Sequence, residues 1–98
     1  MAYTSGRVWS GSTTGIGSVT AVPVSTESIA GSAGSPACRE VIVQSDPANT
    51  TNMKVGSSLS QDVVLLPGQA INIPVFSPSL IYVIMVTGTG VVNWFSRD

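Results

Sequence analysis

Histidine is absent from this chain of 98 residues, cysteine occurs once, and there are four basic and five acidic side chains. Each shortage excludes something. Without histidine the usual general base for a serine nucleophile is missing. One cysteine cannot form a disulfide framework within the chain, and Cys38 with no histidine leaves zinc without a ligand set. The cations Arg7, Arg39, Lys54 and Arg97 are too few and too scattered to track a phosphate backbone, so no nucleic-acid partner is expected. The longest apolar run, Leu80 to Val86, is far short of the ~20 residues that a membrane-spanning helix needs, so no membrane partner is expected either. Met1 to Arg7 lacks the basic-then-apolar layout of a signal peptide, which suggests synthesis in a cytoplasm.

The low charge is itself informative. Only 9% of the residues are ionised, against about 25% in typical soluble proteins. Mean hydropathy is +0.37. Surface charge is part of what keeps small proteins apart. A chain this neutral must present much uncharged or apolar surface, and that points to burial against other protein in an assembly.

No window has the composition of a helix, because β-branched residues, Gly or Pro interrupt every stretch of helical length. Strand signals recur instead. Ser18 to Val24 alternates, with Pro23 restricting it to an edge or a kink. Arg39 to Ser45 alternates next, and Asp46-Pro47-Ala48-Asn49 reads as a turn with an Asx-type side-chain bond. Asn52 to Val55 is a short strand, and Ser57 to Asp62 reads as a loop. Val63 to Leu66 looks buried, and Pro67-Gly68 suits the centre of a type II turn. Ala70 to Val75 alternates cleanly. Ile81 to Val86 is apolar on both faces, which predicts a central strand covered on both sides. Thr87-Gly88-Thr89-Gly90 predicts a tight hairpin back into Val91 to Phe95.

About seven short strands between turn residues indicate an all-β fold, a small antiparallel sandwich or barrel of jelly-roll-like type. Composition changes near Ala37. Residues 1–36 are rich in Gly, Ser and Thr and read as an extended or partly paired N-terminal arm, and residues 37–98 as a compact β domain. Within the arm, Tyr3, Arg7, Val8 and Trp9 are the expected docking residues, because Tyr, Trp and Arg most often anchor interfaces.

Catalytic and metal chemistry find little material. The acids Glu27, Glu40, Asp46, Asp62 and Asp98 show no spacing that pairs them. Lys54 alternates with Met53 and Val55, which turns it toward solvent rather than beside a serine. The loop Asp46, Asn49, Thr50, Asn52 has one carboxylate, too few for a tight calcium site. Asn49-Thr50-Thr51 matches a glycosylation sequon. Neither an enzymatic activity nor a cofactor or metal is expected.

From Cys38 onward the order of segments is distinctive: Cys38-Arg39-Glu40-Val41-Ile42-Val43, Asp46-Pro47-Ala48-Asn49, Met53-Lys54-Val55-Gly56, Leu66-Pro67-Gly68-Gln69, Ile81-Tyr82-Val83 and Val91-Val92-Asn93-Trp94. It resembles small all-β structural proteins of tailed bacteriophages, those that sit on the virion as head decoration, cement or head-fibre proteins. The resemblance implies a non-enzymatic protein of the virion surface. It would pack on the major capsid protein or other virion subunits as a homo-oligomer, with a trimer expected, and it carries over no functional residues. The alternative expectation is a carbohydrate- or host-surface-binding β-sandwich on a tail or fibre, with Trp9 or Tyr82 stacking on a sugar.

Overall fold

The computed structural model describes residues 8–25, 40–75 and 78–97. It is an all-β sandwich of eight strands: β1 (Val8–Ile16), β2 (Val22–Pro23), β3 (Glu40–Ser45), β4 (Met53–Gly56), β5 (Gln61–Leu65), β6 (Ala70–Ile73), β7 (Tyr82–Met85) and β8 (Gly90–Arg97). The first sheet runs β1-β8-β3-β6 and the second β2-β7-β4-β5, every pair antiparallel. The pairs β1·β8, β2·β7, β3·β6 and β4·β5 are nested. One long hairpin rolled up on itself makes this pattern, and the arrangement is jelly-roll-like.

Alternation assigns the inner faces. In β3 Val41, Val43 and Ser45 point in and are buried, with Ile42 outside. Val92, Trp94 and Ser96 do the same in β8. From the second sheet Met53, Val55, Leu65, Val83 and Met85 fill the other half of the core. Ile81, Ile16 and Val24 complete it, the last two showing that residues numbered within the Gly/Ser/Thr-rich segment contribute to the shared core.

Local chemistry sets the turns. Ala48 N–H donates to Asp46 Oδ1 at 2.8 Å and Asn49 N–H to Asp46 O at 2.9 Å, the expected Asx-type turn. Gln69 N–H donates to Leu66 O at 2.9 Å, and Gly68 takes the positive φ, 88°, that a type II turn needs after proline. Pro23 lies in β2, an edge strand of the second sheet, where its missing N–H costs no central ladder bond.

Three expectations are corrected. Val63 to Leu66 is not a buried strand: β5 is an edge strand, and Val63, Val64 and Leu66 are 45%, 46% and 50% exposed. Val63 pairs with buried Val55 yet has no neighbouring strand beyond it among the described residues. Thr87-Gly88-Thr89-Gly90 is not a hairpin. It carries the chain from the second sheet to the first, because β7 already has β2 and β4 on its two sides. β7 is central within its sheet, but its outer face is not covered among the described residues, and Val86 just beyond it is 48% exposed.

Candidate functional site

Two surfaces stand out, one on each sheet. On the second sheet, Tyr82 and Ile84 of β7, Lys54 of β4 and Val64 of β5 share the outer face, because each alternates with a buried neighbour. The same alternation carries Val86 and Leu66 onto it beside Asn52, whose carbonyl accepts from Val86 N–H at 3.0 Å. This face joins Val64, Leu66, Ile84 and Val86, with Lys54 as its only cation among the described residues. Next to it the β4–β5 turn is held tightly. Ser57 N–H donates to Ser60 O at 2.8 Å, Gln61 Nε2 donates to Ser57 O at 2.6 Å, and Leu59 at the tip is 94% exposed.

On the first sheet, cross-strand register sets side chains of the outer face in rows. Ser10, Phe95, Ile42 and Asn72 form one row. Ser12, Asn93, Gln44 and Ala70 form the next. The second row is a hydrogen-bonded ladder. Ser12 Oγ donates to Asn93 Oδ1 at 2.7 Å, and Asn93 Nδ2 donates to Gln44 Oε1 at 3.2 Å and to Asp46 Oδ2 at 3.1 Å. Gln44 Nε2 donates to Gly68 O at 3.3 Å. On the other side of the Phe95 row, Arg97 Nε pairs with Glu40 Oε1 at 2.8 Å, and Asn72 Nδ2 donates to Glu40 Oε2 at 3.3 Å. Those hydrogen bonds, Arg97 first and then Asn72, hold the Glu40 carboxyl below its ordinary range. Between the polar rows Phe95 and Ile42 are 41% and 37% exposed. A shallow depression of about 260 Å³ lies here, lined by Ile42, Gln44, Ala70, Asn93, Trp94 and Phe95.

The expected docking residues are only partly placed. Tyr3 and Arg7 lie outside the described residues. Val8 and Trp9 occupy the first two registers of β1, opposite Arg97 and Ser96 of β8. Among the described acids, Glu40 is bound to Arg97, Asp46 caps its turn and receives Asn93, and Asp62 Oδ2 accepts from Ser60 Oγ at 2.7 Å. The structure does not bring them together, and the described residues hold no cluster of three or more metal-ligating side chains. Asn49 of the sequon is 9% exposed and donates its amide hydrogens to Ser45 Oγ and Val91 O, both at 2.9 Å.

Sequence reasoning missed both surfaces as surfaces. Phe95 was legible as facing away from Val92 and Trp94, and Ile42 as sharing a face with Glu40 and Gln44. Their meeting depends on the β3·β8 register, which no local pattern encodes. No family model, curated protein or solved structure matches the chain.

Proposed function

We propose that this chain is a non-enzymatic virion structural protein, a capsid decoration or cement protein that binds the head shell and stabilises it. The observation that carries the docking role is the outer face of the second sheet. Val64, Leu66 and Val86 are each about half exposed there, at 46%, 50% and 48%. A monomer in water gains nothing from such a face, whereas a neighbouring subunit laid over it recovers roughly 25 cal/mol per Å² of apolar area before association costs. The assignment to a virion rests on the sequence resemblance, and a jelly-roll-like sandwich is an architecture that virion proteins use. Fold alone does not define function. The partners would be the major capsid protein or further copies of this chain, a trimer being expected. The place of action would be the particle surface, after assembly in a host cytoplasm.

The mechanism is mechanical. A small sandwich with few charges bridges shell subunits, and each repeated copy adds the same small stabilisation to the shell. The test is incorporation into purified particles. The wild-type chain should co-sediment with shells, and a Val64→Lys, Leu66→Lys variant should stay in the supernatant with an unchanged melting curve. Wild-type protein that never joins a particle, or a double-lysine variant that joins as well as wild type, would refute the reading.

A further inference from the structure

The depression on the first sheet has a different chemistry from the apolar face opposite. Its wall is the half-exposed ring of Phe95, continued by Ile42. Its far side is Ala70 on the edge strand β6, whose small side chain leaves room that a larger residue would fill. Its polar members are amides held in place by one another rather than by solvent. Asn93 spends both amide hydrogens and its carbonyl on Gln44, Asp46 and Ser12. Gln44 spends one amide hydrogen on Gly68 O, and the other has no partner among the described residues. Asn72 lies outside the lining, opposite Ile42 in the Phe95 row; it spends one amide hydrogen on Glu40, and its other amide hydrogen and its carbonyl have no partner among the described residues.

Charge narrows what this surface would take. No lining residue is ionised. Among the described residues the nearest formal charges are the Asp46 carboxylate behind Asn93 and the Glu40–Arg97 pair, whose cation is already bound. Among the described residues an anion would meet the Asp46 carboxylate and the ion-paired Glu40 but no unpaired cation, so phosphates and acidic sugars are disfavoured. A purely apolar partner would strip water from the spare amide groups and leave them unsatisfied. A neutral ring with a face of C–H groups and a rim of hydroxyls satisfies both halves. Its C–H face lies on Phe95, and its hydroxyls take the spare N–H of Gln44 and the amide of Asn72. Ligand pockets for larger molecules run from about 300 Å³ upward, so a depression of about 260 Å³ matches one ring.

We propose that this depression binds one neutral, polyhydroxylated ring, a pyranose of a monosaccharide or of a surface glycan, with Phe95 as the stacking platform and Gln44 and Asn72 as hydroxyl partners. The proposal stands on the first sheet alone and does not depend on what covers the second. The full-length ¹⁵N-labelled chain is titrated with the neutral methyl glycosides of glucose, galactose, mannose and N-acetylglucosamine, and with a trisaccharide of each. At least one should give saturable shifts at the amides of Ile42, Gln44, Ala70, Asn72, Asn93 and Phe95. Equal affinity for the monosaccharide and its trisaccharide means that one ring is the whole ligand, and tighter binding of the trisaccharide means that a glycan chain is.

Phe95→Ala should weaken binding roughly tenfold or more, by loss of the aromatic face. Ala70→Ile, on an exposed edge where Ile favours the strand, should fill the depression and abolish the shifts while the rest of the spectrum stays native. Tyr82→Ala, on the opposite sheet, should leave them intact. The proposal is overturned if no glycoside gives saturable shifts, if the shifts survive Ala70→Ile, or if they map to Tyr82. It is also overturned if residues 42, 44, 93 and 95 shift with protein concentration in the absence of sugar, because the face is then a contact between copies. A double-lysine variant at Val64 and Leu66 that loses particle binding but keeps sugar binding separates this result from the docking role.

Discussion

Asn49 shows how one side chain can hold a junction. It sits at the end of the Asp46 turn, and its amide reaches Ser45 Oγ, Val91 O and Val91 N–H, the last accepted by Oδ1 at 2.8 Å. It thereby ties the β3–β4 connection to the start of β8. Asn49→Ala would leave Val91 and Ser45 buried or half-buried without those partners. The expected cost is about 2–3 kcal/mol, read as a lower urea midpoint at unchanged slope. Glu40 adds an acid-sensitive contribution to stability. Its carboxyl titrates below the ordinary value because Arg97 and Asn72 bind the ionised form. The stability from this pair is therefore fully present above the unfolded chain's carboxyl pKa, and it is lost as the pH falls through the lower folded value. Chemical denaturation from neutral to strongly acidic pH should show this loss, and Glu40→Gln should flatten that part of the profile.

At the scale of elements, the β4–β5 unit is the least forgiving. The register shifts between Val55 and Gly56, where the chain turns toward Gln61. A Cβ on Gly56 would run into the Ser60 carbonyl and the Gln61 Cα, which are backbone atoms and cannot swing aside. Gly56→Ala should therefore cost several kcal/mol, on the order of the larger single-substitution effects, and proteolysis near Ser57 to Ser60 should accelerate. Gly11 is a milder case. A Cβ there meets the edge of the Trp94 indole at 3.0–3.1 Å, a side chain that has some room to yield. The Asp46 and Pro67-Gly68 turns and the alternation of β3 and β6 were readable from residue types, because Asp-Pro, Pro-Gly and period-two apolar spacing act locally. The exposure of β5 was not. Val63-Val64-Leu65-Leu66 carries the same composition at a sheet edge as in a sheet centre, and edge position is a property of the strand order.

For the whole molecule, the two sheets offer opposite chemistries: a neutral amide-and-aromatic face on one and a branched-aliphatic face on the other. Self-association through the aliphatic face would be driven by water release rather than ion pairing. Sedimentation should then show average mass rising with concentration, persisting in molar sodium chloride and strengthening in sulfate, with Val64→Lys, Leu66→Lys holding the monomer. A mass independent of concentration in all three would remove the second copy as an occupant of that face.

Residue chemistry alone determined that this chain is all-β, neutral and poor in acid–base groups, because β-branched alternation, punctuating Gly and Pro, and the count of ionisable side chains are properties of the chain read in order. Tertiary structure alone decided which apolar strands face water, that the Thr87–Gly90 turn crosses between sheets, and that Phe95 meets Ile42 beside the Asn93–Gln44 ladder. The reason is physical: pairing β8 with β3 joins residues about fifty positions apart, and local preferences hold no information about such long-range register.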